Sequence, residues 1–208
     1  MTTDLAAALA LGLYVVGLAV TFGVRSWLHR RRTGSIGFNG FSGGPATAGW
    51  WGGVLFLLAL VLAAVGLVLA QTDTVVPPDL PRAVAVAGLA VAVVGVAGVV
   101  LAQGRMGAEW RIGVDPTERT QLVTTGAFGF ARNPVFTAMC AVLLGLMLMV
   151  PTGLTLVALV SLVAGVQLQV RAVEEPYLLA THGKEYADYA ARVGRFLPGV
   201  GRLDTTKL

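Results

Sequence analysis

Apolar residues run almost unbroken through five stretches of the chain, about Leu5–Val24, Trp50–Ala70, Ala83–Gln103, Val135–Val150 and Leu154–Val170, with polar residues gathered between them. A helix needs ~20 such residues to cross a bilayer. The pattern therefore predicts an all-α fold, a polytopic membrane helical bundle of about five transmembrane helices. The first three stretches have full length. The last two, at 16 and 17 residues, rise only about 24–26 Å as helices, short of the ~30 Å hydrocarbon core. Pro151, Thr152 and Gly153 join them in a tight turn, so residues 135–170 read as a helical hairpin whose ends extend or tilt at the surface.

Composition agrees. Of 208 residues, 56% are hydrophobic and 12% charged, about half the charge of an ordinary soluble domain, and the length suits one compact bundle. The basic cluster Arg25, Arg30, Arg31 and Arg32 follows the first apolar stretch and does not precede it, the order of a retained span with its N-terminus outside. On that topology every Lys and Arg except Arg82 falls on the cytoplasmic side, as does the C-terminus. The formal net charge of +4 then belongs to topology and anionic headgroups, not to nucleic acid. A single cysteine, Cys140, with His29 and His182 far apart in sequence, offers neither an intrachain disulfide nor a metal site. The Gly/Ser-rich segment 33–49 reads as a flexible cytoplasmic loop, and the small residues of the second and third spans as packing faces.

Two polar clusters interrupt the pattern abruptly. Arg132, Asn133 and Pro134 stand directly before the fourth span, and Arg171, Glu174 and Glu175 close the fifth. The hairpin brings both to the cytoplasmic rim. Arg132 as a snorkelling anchor and Arg171 paired with Glu174 or Glu175 at helical spacing are the ordinary readings. Against them, Pro134 disfavours helix at Asn133 and shapes a turn, and two adjacent carboxylates point to different azimuths. Tyr177, Tyr186 and Tyr189 follow in an amphipathic stretch ending at Pro198. A cation, two carboxylates and aromatic rings at one interface suit a zwitterion with a flat ring.

These residues resemble the integral membrane methyltransferases of the isoprenylcysteine carboxyl methyltransferase and phospholipid methyltransferase group. The likeness lies in "LVTTGAF" (Leu122 to Phe128), "RNPVF" (Arg132 to Phe136), the Glu174–Glu175 pair, "GKEYADY" (Gly183 to Tyr189) and "RFLP" (Arg195 to Pro198), in that order around a hairpin. It covers the chain from about Gly104 onward. Residues 1–103 then form three spans with the 33–49 loop, and 104–208 a methyltransferase-like region.

The resemblance implies S-adenosyl-L-methionine as methyl donor, bound at the cytoplasmic face. Arg132 suits its carboxylate, Glu174 or Glu175 its ammonium, and Phe128, Phe136, Tyr186 and Tyr189 its adenine and sulfonium. Leu122, Val123, Gly126, Asn133 and Pro134 complete the expected cofactor-binding set, with Arg132 and Glu175 as the catalytic pair and no metal. Trp110 and Arg111 resemble a Trp-Arg pair of bacterial members; Trp110 reads as an interfacial anchor and Arg111 as a residue facing an anionic substrate head. The family's frequent His is Asn133 here, and its common Tyr is Phe136, which removes titrating groups and leaves the acceptor open: isoprenoid carboxylate or thiol, or phospholipid amine. The expected partners are this lipophilic substrate and membrane lipids, with no nucleic acid, and the expected location is a prokaryotic inner membrane. The alternatives are a sterol- or enone-type reductase using NADPH and a non-catalytic membrane protein.

Overall fold

The structure, a computed structural model, describes residues 2–37, 40, 43–107 and 121–204. Its helices are α1 (Thr3–Leu18), α2 (Arg25–Thr33), α3 (Ala48–Gln71), α4 (Arg82–Met106), α5 (Pro134–Met149), α6 (Gly153–Gln169), α7 (Glu175–His182) and α8 (Lys184–Arg192). The described residues contain no strand beyond isolated bridges. Four continuous helical stretches are long and apolar enough to cross a membrane: Thr3–Thr33, Ala48–Gln71, Arg82–Met106 and Gly153–His182, with α5 as a shorter apolar helix. The chain is an integral membrane protein built as an all-α polytopic bundle.

Two of the expected boundaries move. The first span does not stop at Val24; a π-helical turn, Ala19–Val24, carries it into α2. Arg25 is therefore helical and buried, not a loop cation, and His29 is buried one turn further on, while Arg30, Arg31 and Arg32 face outward. The π-turn widens the backbone and presents the Thr21 carbonyl, which accepts from Gln103 Nε2 of α4 at 3.2 Å. Arg25 Nη2 donates to Gly107 O at 2.6 Å. A second π-turn, Val170–Glu174, joins α6 to α7. Its cause is local: Pro176 has no N–H for the carbonyl one turn back, and its ring crowds that carbonyl.

The bundle is held by close backbone approach. In lipid no hydrophobic gain drives helix against helix, so small residues and van der Waals contact must do it. Helix α4 lies antiparallel along α5. A Cβ on Gly145 would stand 2.5 Å from both Gly88 O and Ala92 N, and one on Gly95 would stand 2.8 Å from Val142 N. Helix α3 lies along α6 in the same manner, where a Cβ on Gly165 would stand 2.8 Å from Gly52 O. The central core is correspondingly rich in alanine (Ala10, Ala59, Ala63, Ala92 and Ala158), filled out by Leu67, Leu146, Leu162 and Val166. Tyr14 satisfies its hydroxyl on Leu60 O at 2.6 Å.

At the hairpin tip the polar backbone is satisfied internally, as a bilayer requires. Thr152 Oγ1 accepts from Thr155 N at 3.1 Å and Thr155 Oγ1 accepts from Thr152 N at 3.0 Å, a reciprocal cap that starts α6. At the opposite end of the bundle lie the end of α4, the start of α5, and α7 with α8.

The glycine contacts give a direct test. Gly145→Ala should cost about 1–3 kcal/mol, because the clash is with backbone and not with a movable side chain. Gly153→Ala, where nothing lies within 4 Å, should change stability by less than about 0.5 kcal/mol. Thermal unfolding of both variants in detergent reads the difference.

Candidate functional site

The approach to α5 is a shaped turn. A 3-10 turn, Gly126–Gly129, leads through Ala131 to Asn133, whose φ of −123° and ψ of 58° lie outside the helical region, and Pro134 opens the helix at its first position. This turn is laced to the C-terminal tail. Ala131 pairs with Gly194 in a parallel bridge, Arg132 N donates to Gly194 O at 2.9 Å, and Asn133 N donates to Arg195 O at 3.0 Å. Asn133 Nδ2 donates to the same Arg195 carbonyl at 3.0 Å. Thr137 Oγ1, one turn into α5, donates to Phe196 O at 2.8 Å. Only glycine fits at position 194, because a Cβ there would collide with Leu197 O and stand 2.8 Å from Val200 N.

Within this frame the two polar clusters meet. Arg132 Nη2 donates to Glu175 Oε1 at 2.6 Å. Arg195 closes on the same carboxylate from the tail, with Nε on Oε1 at 2.7 Å and Nη2 on Oε2 at 2.9 Å, a side-on fork. Arg132 Nη1 also donates to Ala190 O at 3.0 Å, and Nη2 to Gly201 O at 3.1 Å. Its side chain is only 2% exposed, against 12% for Glu175 and 17% for Arg195. Two cations against one carboxylate leave the cluster net positive. Arg132 Nε is buried with no hydrogen-bond partner among the described residues, so one strong donor remains unspent.

Aromatic rings wall the cluster. The Arg132 guanidinium carbon lies 5.9 Å from the Tyr186 ring centroid, within cation–π reach, and Tyr186 meets Tyr189 edge to face at 6.1 Å. Tyr189 Oη donates to Phe128 O at 2.7 Å, fixing α8 to the 3-10 turn. Leu122, Leu178, Leu179, Val193 and Leu203 pack around the two tyrosines. Burial pushes the Tyr189 phenol up to about 12, against the opposing pull of Arg132. Burial raises Tyr186 as well; Arg132 opposes this, and the charges of Glu175 and Glu174 add to it. The hydrogen bond to Glu175 raises Arg195, against desolvation.

The expected site residues thus divide. Arg132, Asn133, Glu175, Tyr186, Tyr189, Phe128 and Leu122 converge at one end of the bundle, although the Asn133 amide and the Phe128 carbonyl are engaged in holding the tail and α8. Glu174 stands half-buried at the end of the π-turn, close enough for its charge to reach Tyr186. Pro134 starts α5, and Phe136 packs on the central core. Val123 is half-buried. Gly126, at φ +63°, lies against the Arg105 side chain, where a Cβ would stand 3.5 Å away. Arg171 is exposed and donates to Gln167 Oε1 at 2.8 Å. Trp110 and Arg111 lie outside the described residues. Arg195 was not among the expected site residues; "RFLP" carried it, but a lone tail cation shows no partner in sequence.

A model of the family described as phospholipid methyltransferase matches residues 83–185. Among solved structures, the chain is similar to a eukaryotic intramembrane Ras methyltransferase, isoprenylcysteine carboxyl methyltransferase, with a TM-score of 0.50 at 15% identity, covering 96% of this chain and 99% of that one. At that identity the likeness is one of fold. No curated protein matches the chain by sequence.

The tyrosine geometry sets an alkaline limit. Below pH 10 the Tyr189 phenol is protonated in both folded and unfolded chains. From pH 10 to about 12 the unfolded chain gives up its proton first, so stability falls through that window. Tyr189→Phe should cost about 1 kcal/mol near neutral pH through the lost bond to Phe128 and should lessen the alkaline fall. Denaturant midpoints in detergent across the window measure both effects.

Proposed function

Because residues 83–185 place this chain in the phospholipid methyltransferase family of membrane methyltransferases, we propose that it uses S-adenosyl-L-methionine to methylate a lipophilic or amphiphilic acceptor, at the end of the bundle where α5 begins and α7 and α8 pack. The observation that carries the proposal is the net-positive Arg132–Glu175–Arg195 cluster with its unspent Arg132 Nε. A carboxylate is the natural complement of such a cluster, and the donor carries one. Glu174, on the same rim, complements its ammonium. The Tyr186 ring offers a π-face to a cation.

Glu175 has both oxygens engaged by guanidiniums. Its role is to hold Arg132 and Arg195 in place, not to take a proton from the acceptor. Once bound, the donor supplies a methyl group already activated on sulfur. The chain's own residues then have to orient donor and acceptor in line and keep water out. A carboxylate or thiolate acceptor needs no base. The described cations lie at this end of the bundle with the exception of Arg82, which starts α4 at the other, and this supports a cytoplasmic site with the N-terminus outside. Isoprenoid carboxylate or thiol and phospholipid amine are the acceptor classes that the setting suits.

Calorimetric titration of the detergent-purified protein should show binding of S-adenosyl-L-methionine and none of NADPH. Glu174→Gln should weaken the former at least tenfold, roughly 1.4 kcal/mol. Absence of binding by the wild-type chain, or tight NADPH binding, would overturn the assignment. Mass spectrometry of lipids from cells with and without the protein would then identify the methylated acceptor.

A further inference from the structure

The tail does more than supply Arg195. Residues 197–200 form a β-turn in which Val200 N donates to Leu197 O at 3.1 Å, with Gly199 at φ +75°, the conformation a glycine adopts at the third position of a type II turn after proline. Leu197 is 54% exposed and Val200 62%, and Pro198 and Gly199 are also exposed. Four adjacent apolar residues on an outer surface call for an explanation if that surface meets water.

Their place in the bundle supplies one. The preceding residues run beside the first turn of α5, where Asn133 and Thr137 donate to Arg195 O and Phe196 O, and Phe196 packs on the central core. Helix α5 has 16 residues, about 24 Å of rise against a ~30 Å hydrocarbon core. A span that short leaves apolar thickness uncovered at an end. At the other end the Thr152–Thr155 cap turns the chain tightly back. At this end the 197–200 turn lies alongside.

We propose that the Leu197–Val200 turn is embedded in the bilayer at the hydrocarbon–headgroup boundary, where it completes the apolar surface that α5 is too short to provide. Its occupant is lipid: acyl chain against Leu197 and Val200, and headgroup phosphate near the exposed Arg202, whose Nη2 would stand 3.7 Å from a Cβ on Gly199. The turn is coupled to the ion cluster through backbone. Arg195 N donates to Val200 O at 2.8 Å, and Gly201 O accepts from Arg132. Lipid seating of the turn therefore holds both arginines on Glu175. The inference does not depend on the methyl-transfer reading, since it concerns where the turn lies and not what binds the cluster.

The test is spin-label accessibility in nanodiscs of mixed zwitterionic and anionic phospholipid. With Cys140→Ala as background, nitroxides are placed at Leu197→Cys, Val200→Cys and, as a water-facing control, Lys184→Cys, whose native side chain is 86% exposed. Labels at 197 and 200 should collide with oxygen and be shielded from a nickel chelate, with the order reversed at 184. Equal chelate access at all three positions would overturn the proposal. Carbene footprinting of the unmodified protein in vesicles gives the same answer without substitutions. A lipid-soluble diazirine should label residues 196–201; labelling there only by a water-soluble diazirine contradicts it.

Discussion

The proposed functional end of this molecule depends on one carboxylate shared by two guanidiniums. Glu175 joins Arg132, from the turn before α5, to Arg195, from the tail, while Arg132 also bonds the last carbonyls of α8 and the tail at Ala190 and Gly201. Three segments distant in sequence thus converge on a single group. Burying an ion pair to this degree costs desolvation that must be offset by further hydrogen bonds, which Arg132 makes through Nη1 and Nη2 while its Nε stays unpartnered among the described residues. Here the partners are mostly backbone carbonyls of the same segments, so the pairing and the folding of the tail stabilise each other. The excess positive charge that remains is the reason for proposing the cluster as a binding feature as well as a structural one.

That arrangement needs a bundle in which the start of α5 and the end of α6 are near but not crowded. The helices of the hairpin do not pack chiefly on one another. Glycine-lined contacts seat α5 on α4 and α6 on α3, leaving the rim between the hairpin ends for α7, α8 and the tail. The π-turn at Val170–Glu174 then shifts the helix phase immediately before Glu175. The carboxylate turns inward while Arg171, a turn earlier, stays exposed on Gln167. A small local defect, caused by Pro176, decides which polar residue of the cluster faces the site.

Much of this was legible in the sequence. Hydropathy located the apolar helices, and the hairpin turn at Pro151 to Gly153 put Arg132 and Glu175 at the same end of the bundle. The helix extensions were not legible, because Arg25 and the residues after Val170 are polar and a hydropathy pattern ends where polarity begins, whereas the helix continues on backbone hydrogen bonds. Arg195 escaped for another reason. Its partner lies 20 residues away, and only the fold of the tail, closed by Gly194 and the 197–200 turn, brings the two together. Asn133 shows the reverse case: the sequence suggests a cofactor residue, and in the structure its amide donates to the Arg195 carbonyl of the tail.

The central claim, that Arg132 and Glu175 act as one coupled unit holding the tail on the bundle, is tested most directly by a double-mutant cycle. Arg132→Met and Glu175→Leu, singly and together, would be compared by denaturant unfolding in detergent. The account predicts a coupling free energy of about 1–3 kcal/mol, as residues sharing a buried network show, with the double variant far less damaged than the sum of the singles. Strict additivity, within about 0.5 kcal/mol, would contradict it.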